Sequence, residues 1–168
     1  MQAEASAIQP PHYLIMGRYM VNPFDLKAAL LAEHAQHIVL IHFPIALFLS
    51  AVLFDLIAQW TKLRSIAHTA YYNLVGAALS TFLVLITGLL AWHFQLEGQE
   101  FKGILREHVV LACVASLLIW LTWWIHFRTR RRTEVLPNFR LAVELLGVAV
   151  LAATAHLGGF LSGVNGAG

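Results

Sequence analysis

Four stretches of mostly apolar residues, separated by short polar connections, dominate the pattern of the chain. They cover about residues 38–60, 70–93, 108–127 and 141–162. A helix of about 20 apolar residues crosses a hydrocarbon layer of about 30 Å. The connections are about 8 to 14 residues long, which favours antiparallel packing of sequential neighbours. The pattern therefore predicts an all-α fold, an integral membrane up-down four-helix bundle.

The bundle is expected to cover residues 37–163, with an arm before it and a short tail after it. The arm is residues 1–36, and its positions 26–34 alternate apolar and polar residues in blocks. Such blocks are typical of a short amphipathic helix that lies on a membrane surface. Residues 164–168 form the predicted tail.

Composition excludes an ordinary soluble domain. Hydrophobic residues make up 59% of the chain and charged residues only 12%, and the mean hydropathy is +0.69. The net charge of +2 comes mostly from one arginine cluster after the third span, so it does not indicate nucleic-acid binding. The single cysteine, Cys113, excludes an intrachain disulfide.

The basic residues predict how the bundle is oriented. Lys62 and Arg64 lie in the first connection, and five arginines lie in or beside the third, whereas the second mixes basic and acidic residues. Cytoplasmic connections carry an excess of lysine and arginine. We therefore expect a multi-pass protein of the bacterial inner (cytoplasmic) membrane with both termini outside.

Each predicted span carries histidine near its outer end. These histidines are His37, His42, His93, His108 and His156. Diagonal spans of an up-down bundle face each other, which predicts the pairs His42 with His108 and His93 with His156. Two opposed neutral imidazoles are the axial ligands that a flat iron macrocycle needs. The arrangement predicts one or two b-type haems, with these histidines as the metal ligands.

His37 and His42 cannot both ligate one iron from the same helix face. They are five residues apart, which is about 140° around a helix. We favour His42 because it lies deeper and because Pro44 can bend the span and open space. His37 is then a ligand of a second group or a hydrogen-bond partner at the rim. Arg106, and also Lys102 and Arg18, are candidates for ion pairs with haem propionates or for contacts with lipid headgroups.

A second polar group is predicted at the inner end of the bundle. Its members are His68, His126, Asp55, Asn73 and Glu144. These residues are candidates for a proton path or a second haem site. For Asp55 and Glu144 the simpler interpretation is polar contact between helices or snorkelling toward the inner surface.

The first span reads His37-Ile-Val-Leu-Ile-His42-Phe-Pro44-Ile-Ala46 and continues through Phe54-Asp55-Leu56. It resembles the opening of a bacterial membrane family known as domain of unknown function 2231, His-Pro-x-x-Val-His-Phe-Pro-Ile-Ala followed by Phe/Leu-Asp-Leu. Here Ile38 stands where the family usually has proline. Further matches are Thr87-Gly88-Leu-Leu-Ala-Trp92, His108 and Thr154-Ala-His156-Leu-Gly158-Gly159.

This resemblance covers about residues 36–163. It implies a four-span protein similar to small b-type cytochromes that works beside c-type cytochromes in respiratory or photosynthetic assemblies.

The leading hypothesis is a membrane electron-transfer subunit of a larger complex. Its partners would be the lipid bilayer, other membrane subunits, and a periplasmic c-type cytochrome or quinol. The sequence contains no nucleophile–base pair, phosphate loop or Cys-x-x-Cys-His segment, which favours a non-catalytic subunit. The alternatives are a cofactor-free or chlorophyll-binding accessory or scaffold subunit and, last, a metal or proton transporter.

Overall fold

Helices account for the regular structure of the described chain. The structure is a computed structural model, and it describes residues 33–95, 98, 100–132 and 138–162. The five helices are α1 (Glu33–Leu40), α2 (His42–Thr61), α3 (Arg64–Gln95), α4 (Gly103–Arg132) and α5 (Arg140–Leu161). Four spans are long and apolar enough to cross a membrane, namely Gln36–Thr61, Arg64–Phe94, Gly103–Arg130 and Arg140–Leu161. The predicted all-α, four-span fold is confirmed.

Two segments predicted from the sequence lie wholly or mostly outside the described residues. The amphipathic helix over 26–34 lies almost entirely outside the described residues, and so does the tail at 164–168. Residues 33–36, which the sequence pattern assigned to the arm, lie in α1.

The first span is interrupted at Ile41, between α1 and α2. Pro44 has no N–H, so the carbonyl of Leu40, four residues earlier, loses its helical donor. Helical bonds continue on either side, from the Ile41 N–H to the His37 carbonyl at 3.0 Å and from Ile45 to Ile41 at 3.4 Å. The proline therefore removes one helical hydrogen bond from the span, at a carbonyl between His37 and His42.

The helices extend beyond the apolar stretches that predicted them. α3 begins at Arg64 rather than near residue 70, and α4 begins at Gly103 rather than near 108. Hydropathy marks the part of a helix that suits hydrocarbon, whereas polar residues such as Arg, Glu and Lys continue a helix into the interface without loss.

The bundle is built from two helical hairpins. The first hairpin is α1, α2 and α3, and the second hairpin is α4 and α5, and within each the helices pack closely. Contacts of α3 with α4 and of α2 with α5 join the hairpins. In the first of these contacts the Trp120 indole N–H donates to Thr81 Oγ1 at 3.1 Å, and the Trp120 ring meets Phe82 edge to face. This is the packing of an up-down bundle.

The two hairpins repeat each other. His37-Ile-Val-Leu40 recurs as His108-Val-Val-Leu111, and the separation of His37 from His108 is 71 residues. At that separation four of the five buried positions of α2 match buried positions of α4: Pro44 with Ala115, Phe48 with Ile119, Ala51 with Thr122 and Asp55 with His126. In α3 and α5 the matching buried positions are 70 residues apart rather than 71: Ala70 with Arg140, Leu74 with Glu144, Ala77 with Gly147 and Thr81 with Leu151. The chain therefore presents two equivalent hairpins side by side.

The core is closed at one end of the bundle and open at the other. We name these the Arg140 end and the His37 end. Burial reaches the last turn at the Arg140 end, where Arg140, the first residue of α5, is only 4% exposed. At the His37 end, none of residues 82–94, 103–114 and 155–162 is buried. Within the described residues, the side chains at that end are therefore partly or fully exposed.

Candidate functional site

His37 lies against the backbone of its hairpin partner α3. A Cβ atom at Gly88 would be 3.1 Å from the His37 Cε1, so any larger residue there would press against the ring. The His37 Nδ1 is 3.2 Å from Thr87 Oγ1, and the Thr87 hydroxyl itself donates to the Leu83 carbonyl at 2.9 Å. Because that hydroxyl has only one proton, His37 Nδ1–H is the donor in the first contact.

His108 occupies the equivalent place in the second hairpin. A Cβ atom at Gly158 would be 3.2 Å from the His108 Cε1. The His108 Nδ1 is 3.1 Å from the carbonyl oxygen of Thr154. A carbonyl can only accept, so Nδ1–H again donates.

Both rings are therefore held in the same tautomer by the same kind of environment. In a neutral imidazole that donates through Nδ1, the lone pair is on Nε2. Histidines that ligate metals are typically oriented in this way, with the second nitrogen donating to a carbonyl or another acceptor. The repeated hairpin places one such ring on each half of the bundle, at the end where the core is open.

The other three predicted ligands lie on the surface of the bundle. His42 is exposed and donates from Nδ1 to the Ile38 carbonyl of its own span at 2.7 Å. His93 and His156 are exposed and meet Phe94 and Phe160 of their own helices edge to face. The predicted pairs His42 with His108 and His93 with His156 stay predictions. His37, rather than His42, is the half-buried ring that lies against the backbone of a neighbouring helix.

The predicted propionate partners lie beside the start of α4. Arg106 is exposed and lines an open depression with Gly103 and Glu107. Lys102 is exposed and forms an ion pair with Glu100. Arg18 lies outside the described residues.

A second polar site lies at the Arg140 end, and we name it the buried quartet: Asp55, His126, Arg140 and Glu144. Their exposed fractions are 2%, 5%, 4% and 1%. Arg140 donates to Asp55 Oδ2 from Nε at 3.0 Å and from Nη2 at 2.9 Å. His126 Nε2 is 2.9 Å from Glu144 Oε1. Three spans therefore meet through charged and titratable side chains.

The predicted inner group was only partly right in membership. The structure brings Asp55, His126 and Glu144 together, with ligand atoms within 4.8 Å of one another. His68 is exposed, and the Asn73 amide donates to the Thr69 carbonyl of its own helix at 3.0 Å. Arg140 was missed, because its place in an arginine-rich connection indicated a cytoplasmic anchor.

Comparison with known proteins identifies the family without identifying an activity. The family described as "Predicted membrane protein (DUF2231)" matches residues 33–168, which includes both hairpins. No curated protein matches the chain. No solved structure matches it. The match covers most of the chain, and the chain therefore belongs to the DUF2231 family of membrane proteins.

Proposed function

We propose that this membrane protein is an electron-transfer subunit that binds a b-type haem between its two hairpins, where His37 and His108 would hold the iron. The observation that carries the proposal is the repeated histidine–glycine contact. Each imidazole lies against a glycine backbone, donates through Nδ1 and carries its lone pair on Nε2. The equivalence of the hairpins supports two such rings at matching depth on opposite halves.

The open core supports the same proposal. A bundle that closes on its own side chains buries residues along its whole length, as this one does toward the Arg140 end. Toward the His37 end the helices carry small residues and are unburied, which is consistent with space for a flat ligand. The donor set of two neutral imidazoles in an apolar bundle suits haem iron.

When bound, a haem supplies one-electron exchange between its ferric and ferrous states. The chain's own residues would then hold the ligands in place: Thr87 and the Thr154 carbonyl orient the two imidazoles, and the spans keep water away. His42 is a candidate for a second group only where another subunit covers its exposed face.

The placement of this site in the cell is part of the proposal. The lysine and arginine distribution supports a bacterial inner membrane with the His37 end on the periplasmic side. There the haem would meet a periplasmic c-type cytochrome, a quinol or other membrane subunits. Only 17–22% of each span's most apolar window is buried inside the chain, so most of the span surface contacts lipid or partner subunits.

The experiment is a reduced-minus-oxidised optical spectrum of the purified chain, with haem quantified as pyridine haemochrome. We expect a b-type α-band that is lost in His37→Ala and in His108→Ala. His68→Ala is the matched control, because that ring is exposed, and it should keep the haem. Haem retained in both test variants would reject this ligand pair. A chain that contains only chlorophyll-type pigment, or no cofactor, would support the accessory or scaffold alternative.

A further inference from the structure

The charge balance of the buried quartet depends on how many protons its members hold. The Arg140 guanidinium is always protonated and binds the Asp55 carboxylate through two N–H groups. The Gln59 amide donates to the same Oδ2 oxygen at 3.2 Å. Asp55 and Arg140 therefore form a neutral unit, and Glu144 with His126 remains to be balanced.

One proton decides the charge of that second pair. If Glu144 is ionised and His126 is neutral, the pair carries one uncompensated negative charge. Both side chains are buried, with exposed fractions of 1% for Glu144 and 5% for His126. With one more proton, on the carboxyl or on the imidazole, the pair is neutral. Burying an unbalanced charge is far more costly than burying a neutral hydrogen-bonded pair. The site therefore favours binding one proton.

Glu144 has an oxygen available for that proton. Its Oε1 contacts His126, whereas Oε2 is fully buried and has no hydrogen-bond partner within the part of the chain that the structure describes. The charged and titratable groups acting on Glu144 are His126 of α4, Asp55 of α2 and Arg140 of α5. Toward α3, Arg130 of α4 lies over the rings of Tyr71 and Tyr72 instead.

A divalent cation fits the charge of the quartet less well than a proton does. The Asp55, His126 and Glu144 ligand atoms lie close enough together to suit a metal ion. A dication added to two carboxylates, one guanidinium and a neutral imidazole leaves one excess positive charge. A single proton leaves none.

We propose that Glu144 and His126 form a buried binding site for one exchangeable proton at the Arg140 end of the bundle. Glu144 is one turn from the first residue of α5, so the proton exchanges with the side of the membrane that the Arg140 end faces. The step is a simple transfer: water delivers H⁺ to the pair and receives it back, with no change of oxidation state. The site does not depend on the proposed haem, which lies at the opposite end.

The test locates the proton in the purified full-length chain at neutral pH. Infrared spectra in H₂O and D₂O detect the carbonyl stretch of a protonated Glu144, and ¹⁵N NMR of labelled histidine detects an imidazolium at His126. We expect one of these two signatures in the wild type. In His126→Gln we expect the carboxylic acid signature, and in Glu144→Gln we expect a neutral His126. The matched control is Glu107→Gln, an exposed position on α4, which should leave both signals unchanged.

Two results would overturn the proposal. One is an ionised Glu144 together with a neutral His126 in the wild type. The other is a stoichiometric divalent metal in the purified wild-type chain that is lost in Glu144→Gln, which would make the quartet a metal site. Because His126→Gln and Glu144→Gln give separate readings, failure of either variant to fold leaves the other decisive.

Discussion

Asp55 and Arg140 join the two hairpins through a buried ion pair, so neither residue is expected to tolerate neutralisation alone. In Asp55→Asn the guanidinium loses the carboxylate that accepts from two of its N–H groups, and breaking such a pair typically costs about 3–5 kcal/mol. We expect Asp55→Asn to lower the free energy of unfolding by that amount, measured in mixed micelles.

The matched variant is the double change Asp55→Asn with Arg140→Gln, which removes both charges. It should recover a large part of the lost stability, because no unpaired charge remains. An Asp55→Asn protein within about 1 kcal/mol of the wild type would contradict the buried pairing.

Thr87 and Thr154 offer a second comparison at the residue scale, because they hold the two imidazoles differently. The Thr87 hydroxyl accepts from His37, whereas Thr154 accepts from His108 through its backbone carbonyl. Thr87→Val therefore removes an acceptor and Thr154→Val does not. If the proposed haem is bound, Thr87→Val should weaken its binding by about 10–100-fold in a haem titration. Equal losses in the two variants would show that the Thr87 hydroxyl has no special part.

The sequence showed which polar residues lie in the spans better than it showed which of them contact each other. Histidine on every span was visible in the sequence, and so was the tendency of Asp55 and Glu144 to make polar contacts between helices. The burial of Arg140 was not, because its partner Asp55 is 85 positions away on another span. The preference for His42 over His37 came from depth along the span. The structure shows that the ring against the α3 backbone is His37, which depth alone does not reveal.

Between the hairpins, α5 packs tightly against α2 at Gly147. A Cβ at this position would be 2.8 Å from Cζ and 3.0 Å from Cε1 of the fully buried Phe48 ring. An aromatic ring in a packed core moves little, so Gly147→Ala should lower the free energy of unfolding by about 1–3 kcal/mol.

Gly76→Ala is the control for this prediction. The atoms nearest to its Cβ would all belong to the Leu47 side chain, first the Cδ1 at 3.1 Å, at the flexible end of that side chain. We expect a smaller loss than in Gly147→Ala, when both variants are unfolded under the same conditions. A larger loss at Gly76 would contradict the packing of α5 on α2.

Helix number and order followed from hydropathy, whereas helix ends and the repeat did not. Apolar stretches located the four spans because a bilayer demands them. The break at Ile41 had a visible cause in Pro44, and the polar starts of α3 and α4 had none. The equivalence of the hairpins was available from His37-Ile-Val-Leu40 and His108-Val-Val-Leu111, but only two matching histidine segments signal it, and most other repeated positions share burial rather than identity.

For the whole molecule, the charge distribution predicts that the two ends of the bundle face different compartments. Glu100, in the second connection, is expected outside, and Asn138, in the third, is expected inside. We expect Glu100→Cys to react with a membrane-impermeant maleimide in intact cells and Asn138→Cys to react only after permeabilisation. Cys113→Ser in both variants removes the native thiol, which is exposed in the isolated chain. The reverse labelling pattern would place the His37 end inside.

Under the proposed function, one haem is held by His37 and His108, which lie at matching positions of the two hairpins. Replacing each of these histidines with methionine tests the proposed ligation. The readouts are the electron paramagnetic resonance and optical spectra of the oxidised and reduced full-length chain. The wild type should show a low-spin centre with two imidazole ligands. His37→Met and His108→Met should each convert that centre to histidine–methionine ligation and raise its reduction potential. A bis-imidazole spectrum that is unchanged in both variants would show that His37 and His108 do not bind the iron.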